Sequence, residues 1–239
     1  RNKGKIAAVI MEPIRNDYPL YNYLEEIRRI TEEEKIVLVF DEITAGFRLC
    51  AGGSHLELGV NPDVAVFAKG MTNGYPVAAI IGKKDVMEAT QETFISSTFW
   101  TERIALAAAV ESINCYQKYH VHEWQKHVGE VITKGWMNIA EKVGLKMHVS
   151  GILPLAHFEV EYKKPLVFKT YFTQEMLKEG FLAGTSVYAS FAHKDEIIEL
   201  YLGACEKVFR KIKNILDKNE ELEDYLEGPV CHAGFERLN

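Results

Sequence analysis

The first eighty residues alternate between short, unbroken apolar runs and amphipathic or polar stretches. Residues 6–11 (IAAVIM), 36–40 (IVLVF), 64–68 (VAVFA) and 77–81 (VAAII) contain no polar residue. Runs of that length and purity predict strands buried on both faces. Between the first two, residues 20–35 place Leu24, Ile27 and Ile30 at helical spacing. Glu25, Glu26, Arg28 and Arg29 fall on the opposite, wet side, so the segment predicts an amphipathic helix. Strands alternating with helices predict an α/β domain with a mainly parallel sheet.

Beyond Phe99 the pattern changes. Residues 101–119 and 122–142 predict two helices, and residues 147–149 and 155–160 two short strands. Residues 166–179 predict a helix that Gly180 stops. Residues 181–190 read as short strands with a turn, and residues 194–216 as a long amphipathic helix. The division expected is therefore residues 1–117 in the α/β part, 118–218 in a smaller α+β domain, and 219–239 as a charged, loosely held tail. Neither an internal repeat nor a low-complexity segment is present.

Composition narrows the partners. The chain has 239 residues, 47% hydrophobic and 26% charged, with a net charge of −6. A mildly acidic chain with mixed charges argues against nucleic acid or an anionic membrane as partner. No apolar run approaches the roughly 20 residues of a membrane span, and the first five residues lack the apolar stretch of a signal peptide. Cys50, Cys115, Cys205 and Cys231 are widely spaced and form no CxxC. A disulfide framework or a zinc site is not expected, and the cysteine usage suits a reducing, cytoplasmic compartment. His120, His122 and His127 read as a solvated helix face in preference to a metal site.

The chemistry-bearing residues fall just after predicted strand ends: Glu12, Asp41 and Lys69. Open α/β sheets bind ligands outside the carboxyl ends of their strands. Taken singly, each has a plain reading: Asp41 and Glu42 as a helix cap or loop acids, and Lys69 as an ordinary lysine. Taken together, an Asp and a Lys at adjacent strand ends, 28 residues apart, match the needs of pyridoxal 5′-phosphate (PLP). That cofactor takes a lysine amine on its aldehyde and a carboxylate that keeps its pyridine nitrogen protonated. A lysine there is expected to pack against apolar surface, which favours the neutral amine.

The segments IMEPI (10–14), DEITAGFR (41–48) and FAKGMTNGYPVAAIIG (67–82), in that order, resemble the class-III, ornithine/4-aminobutyrate-type aminotransferases. The likeness is greatest to the glutamate-1-semialdehyde 2,1-aminomutase branch, which residues 171–180 and 189–196 also resemble. The resemblance implies a type I PLP-transferase fold, part of a large domain followed by a small one. It implies that Lys69 forms the internal aldimine and moves a proton between substrate and cofactor, by way of pyridoxamine phosphate. It further implies that Asp41 pairs with the pyridinium nitrogen, Ile43 packs on the ring, Thr98 binds the phosphate and Glu12 is architectural. The partners implied are a small-molecule amino donor, a carbonyl acceptor and a second copy of the chain.

Some features depart from the family pattern. Thr44 stands where many aminotransferases have a glutamine, and Thr101-Glu-Arg103 replaces an expected GNP. The family's chains are longer, and their N-terminal part has no counterpart here. Aminotransferase is the leading reading. An intramolecular aminomutase is the alternative within the family. A non-catalytic scaffold or an incomplete fragment retaining the fold is the alternative of another class. A nucleotide-binding α/β protein is disfavoured, because the chain has neither GxGxxG nor a Walker loop.

Overall fold

The apolar runs become strands β1 (Ala8–Met11), β2 (Val37–Asp41), β3 (Val64–Phe67) and β4 (Ala79–Gly82), with helix α1 (Tyr23–Glu33) and short helix α2 (His55–Leu58) between them. The computed structural model describes residues 2 and 4–234. The chain divides into two compact units, one ending at Trp124 and the other beginning at Gln125.

In the first unit the four strands form one sheet in the order β1-β2-β3-β4. The first three are parallel, and β4 runs antiparallel to β3. The sheet is therefore mainly parallel, and its antiparallel edge follows from the short connection after Lys69, which is too brief for a crossover. Side chains alternate across it. Leu38 and Phe40 of β2 point to the face packed on Leu24 of α1 and on Val60. Ala65 and Phe67 of β3 pack with Phe47, Met71 and Tyr116.

The opposite face differs from the expectation of strands buried on both sides. Ile10 of β1 is 72% exposed and Ile80 of β4 is 60% exposed, and the register puts Ile10 beside Val39 and Ile80 beside Val66. Composition alone reports that a strand can be buried on both faces; the elements packed against it decide whether it is.

Helix α1 buries Leu24 and Thr31, with Ile27 half-buried, whereas Ile30 is exposed. Thr31 lies one turn beyond Ile27, and its hydroxyl donates to the Arg28 carbonyl at 2.9 Å, so the inward stripe can run through a polar residue. The helix ends in a Schellman arrangement. The Ile36 N–H donates to the Thr31 carbonyl and the Lys35 N–H to that of Glu32, with Lys35 left-handed at φ +55°. Asp63, just before β3, accepts from the Leu38 N–H at 2.8 Å and pairs with Arg28 and Lys83, which ties α1, β2 and the β4 region together. After β4 come the short helix α3 (Lys84–Met87), a 3₁₀ turn (Glu88–Glu92) and helix α4 (Arg103–Lys118).

Helix α5 (Val121–Val143) leads into the second unit. There β5 (Met147–Ser150) and β6 (His157–Val160) pair antiparallel, followed by α6 (Pro165–Lys178) and α7 (Asp195–Asp217). Trp136, Phe158, Phe172 and Phe209 are all fully buried, with Phe158 at the centre. Its ring lies 4.8, 5.3 and 5.6 Å from those of Trp136, Phe172 and Phe209, each edge-on. Gly180, at φ +92°, ends α6 as the sequence predicts, with the Phe181 N–H donating to the Met176 carbonyl.

The expectation of short strands over residues 181–190 is corrected. The segment forms one isolated bridge, Ser186 to His157, and otherwise meets residues 154–158 through single hydrogen bonds. The stretch expected as a charged tail carries a 3₁₀ turn (Leu222–Tyr225) whose Leu222 is fully buried. The last part of that expected tail, residues 235–239, lies outside the described residues. Among the described residues, no helix is long and apolar enough to cross a membrane, and no group of three His, Cys, Asp or Glu residues is placed to hold a metal ion.

Candidate active site

Three parallel strands present their carboxyl ends along one edge of the sheet, and each delivers an ionisable residue there: Glu12, Asp41 and Lys69. Their fates differ. Glu12 pairs with Arg15 at 3.1 Å, three residues along, which suits an architectural role.

Asp41 ends β2 and, by alternation, lies on the open face with Val37 and Val39. Its Oδ1 accepts the Ile43 N–H at 2.9 Å, which fixes the carboxylate against its own turn. Its other oxygen has no hydrogen-bond partner among the described residues. Ile43 is half-buried beside it.

Glu42, the next residue, points the other way and is fully buried. Its carboxylate accepts from the Ser54 N–H (2.9 Å), the Ser54 hydroxyl (2.8 Å), the His55 N–H (2.9 Å) and the His55 Nδ1–H (2.8 Å). Burial pushes the Glu42 carboxyl up, but the hydrogen bonds from His55 and Ser54 outweigh it and hold the group below its usual range. The cap-like reading considered for the pair thus holds for Glu42, at the start of α2, while Asp41 stays open. The two could not be told apart locally, because the partners of Glu42 lie twelve and thirteen residues away.

Lys69 begins a 3₁₀ turn (Lys69–Met71) directly after β3. Its backbone is left-handed, φ +45°, a conformation that costs a non-glycine residue about 1–2 kcal/mol. The neighbouring turns hold it there. A Cβ on Gly70 would sit 3.1 Å from the Gly46 carbonyl oxygen, and one on Gly46 would sit 2.9 Å from the Phe67 ring. Gly70 thus lies close against the Gly46 carbonyl of the 41–48 turn. The Tyr116 hydroxyl donates to the Phe47 carbonyl and secures the first turn to α4.

Lys69 is exposed at the strand end. Its Nζ donates to the Thr44 hydroxyl at 2.9 Å. Thr44 is itself buried. The sequence marks Thr44 only as a departure from a glutamine; the contact with Lys69 spans 25 residues and no local pattern announces it. Neither Lys69 nor Asp41 forms an ion pair among the described residues, whereas Asp63, at the opposite end of β3, is matched by two cations.

Thr98 lies apart from these strand ends in sequence, on the exposed turn 98–101 that leads into α4. The first turn of α4 is capped by Glu102, whose carboxylate accepts the N–H groups of Ile104 (2.6 Å) and Ala105 (2.8 Å). Those amides are thereby occupied.

The sequence model of the aminotransferase class-III family matches residues 1–203. The chain is 33% identical over 192 residues to glutamate-1-semialdehyde 2,1-aminomutase of Methanococcoides burtonii, covering 76% of this chain and 44% of that one. It is 28% identical to 3-aminobutyryl-CoA aminotransferase of Cloacimonas acidaminovorans, over 90% of this chain and 55% of that one. The chain thus spans about half the length of the curated relatives it matches. Among solved structures, the FumI protein of Sphingopyxis sp. MTA144, determined in its PLP form, superposes with a TM-score of 0.84 at 23% identity, over 93% of this chain and 55% of that one. An omega-transaminase from Sphaerobacter thermophilus gives 0.77 at 20% identity, over 87% and 53%. These superpositions establish the fold as that of the PLP transaminases. With the family model covering most of the sequence and the Asp41 and Lys69 motifs standing at adjacent strand ends, the chain belongs to the class-III aminotransferases.

Proposed function

We propose that this chain carries the cofactor-bearing lysine of a PLP-dependent aminotransferase, which moves an amino group from a small-molecule donor to a carbonyl acceptor. The observation that carries the reading is the state of two charges. Asp41 and Lys69 stand at neighbouring parallel strand ends, each held by one neutral group and neither neutralised by an ion pair. That suits a ligand needing both an amine and a carboxylate. When bound, PLP supplies an electron-withdrawing ring that draws off carbanion charge.

The chain's own residues divide the work. The Lys69 Nζ would hold the cofactor and, as a general base and acid, would carry a proton from the substrate carbon. The open oxygen of Asp41 would accept the pyridinium N–H, while the Ile43 N–H fixes the other carboxylate oxygen. The Ile43 side chain would pack against the ring, and the Thr98 hydroxyl would contribute to phosphate binding. The first unit supplies the C-terminal part of the cofactor domain, and the second supplies the small domain.

A second reading, an intramolecular aminomutase, is favoured by the 33% identity to the archaeal enzyme of that name. The two readings separate on whether amino transfer needs an added acceptor. A homodimer is proposed on the run of exposed apolar residues Phe94, Phe99, Trp100 and Ile104. A reducing, cytoplasmic location is proposed on four cysteines that are all free.

The test is borohydride reduction of the chain incubated with PLP, followed by peptide mass mapping. Near-stoichiometric phosphopyridoxyl on Lys69, lost in Lys69→Ala, is expected. Weak labelling scattered over surface lysines would overturn the reading.

A further inference from the structure

Lysine is a flexible point charge, and an exposed one ordinarily samples many rotamers. Lys69 is exposed, yet its amine is held, and the group that holds it is the buried hydroxyl of Thr44 on the adjacent strand-end turn. The backbone contributes as well. Lys69 sits at φ +45°, and the glycine-to-glycine approach of Gly70 to Gly46 presses its turn onto the one that carries Thr44.

The chemistry of the partner matters. A carboxylate only accepts hydrogen bonds and would favour the ammonium form. A hydroxyl both donates and accepts. It can take a hydrogen bond from the ammonium, or give one to the lone pair of the neutral amine, without fixing the charge. Lys69 has no ion-pair partner among the described residues, so this hydroxyl alone sets the direction of its nitrogen.

We propose that Thr44 is a positioning residue for the reaction, with its Oγ1 aiming the Lys69 amine so that it meets the cofactor's aldehyde and, later, the substrate's proton. The inference rests on the reading of Lys69 as the cofactor lysine, and it assigns a role to a position that departs from the common family pattern.

The experiment compares wild type, Thr44→Val and Thr44→Ser in the full chain. Two ligands separate positioning from site integrity. Pyridoxamine 5′-phosphate lacks the aldehyde and cannot bond to lysine, so its affinity reports the site itself. PLP capture on Lys69, trapped by borohydride over time, reports the aim of the amine. The loss of this hydrogen bond is expected to slow capture about tenfold in Thr44→Val. Thr44→Ser should restore the wild-type rate, and pyridoxamine phosphate affinity should stay within about twofold throughout.

A cofactor-free readout accompanies these. Trace acylation with acetic anhydride, scored as Lys69 relative to Lys83, should rise about threefold in Thr44→Val and not in Thr44→Ser. An unchanged acylation ratio would overturn the inference. So would wild-type capture by Thr44→Val, failure of Thr44→Ser to restore capture, or a parallel loss of pyridoxamine phosphate binding. If wild type captures no PLP on Lys69, the function proposed above fails, while the acylation ratio still decides whether Thr44 holds the lysine.

Discussion

In the second unit Glu175 is a buried carboxylate on α6, the helix that also carries Phe172 and Met176, and it is fully matched. Lys178 (2.6 Å), Lys211 (3.0 Å) and Gln174 (3.2 Å) all donate to it. In the first unit Asp41 and Lys69 stand at the sheet edge with one neutral partner each, beside a face that leaves Ile10 and Ile80 in water. One region satisfies its polar groups internally around an aromatic core. The other keeps a donor and an acceptor available, and holds Lys69 in a strained backbone to do so. Strain and unmatched charge cost stability and are retained where a ligand uses them. The contrast sets this edge apart from the second unit, and it coincides with the proposed site.

Removing the centre of the matched region should have the largest effect. Phe172→Ala deletes a fully buried ring in contact with Phe158 and Phe209 and should cost about 3–5 kcal/mol, read by denaturant unfolding. A cost under about 1 kcal/mol would show that the aromatic cluster is not a cooperative core.

Next comes the fully buried, hydrogen-bonded carboxylate beside Asp41. Glu42→Ala leaves the Ser54 and His55 donors buried without an acceptor and should cost about 2–3 kcal/mol. Asp41→Ala, one residue away, should leave the unfolding midpoint nearly unchanged while abolishing productive PLP binding. Equal destabilisation by the two substitutions would erase the distinction drawn between them.

Acid sharpens the comparison further. Burial pushes the Glu175 carboxyl up, but hydrogen bonds from Lys178, Lys211 and Gln174 prevail and bring it down to about 2. A carboxyl depressed in the folded state stabilises the protein above its unfolded value, and that contribution is lost as pH falls toward the folded value. Stability should thus decline between about pH 4.5 and pH 2 by roughly 1–2 kcal/mol, discounted for the half-exposed lysines. Glu175→Gln should flatten the decline. A variant with the same acid profile as wild type would remove Glu175 as its origin.

The smallest effect concerns strain. Lys69→Gly relieves the left-handed backbone, against the greater chain entropy of glycine, and should stabilise by about 0.5 kcal/mol while PLP capture disappears. Destabilisation would mean that the Thr44 contact outweighs the strain.

Much of this protein is legible in its sequence because the relevant forces are local or periodic. Unbroken apolar runs announce the four strands of the first unit, helical spacing announces α1 and α7, and Gly180 announces its own left-handed cap. Asp41 and Lys69 are legible because each directly follows an apolar run, and parallel strands bring such positions to one edge. Other features depend on what comes together across the chain. Thr44 meets Lys69 over 25 residues, and Glu42 meets Ser54 and His55 over twelve and thirteen. Residues 181–190 have strand-like composition but lack a continuous partner to pair with, so they do not join a ladder. Ile10 and Ile80 have the composition of buried strand residues but lie on a face that the described elements leave open. Periodicity and turn chemistry act within a few residues, so the sequence by itself determined the elements and the two charged positions. Burial and hydrogen-bond pairing are properties of the packed chain. Only the tertiary structure could decide which carboxylate is structural, which is open, and which hydroxyl holds the lysine.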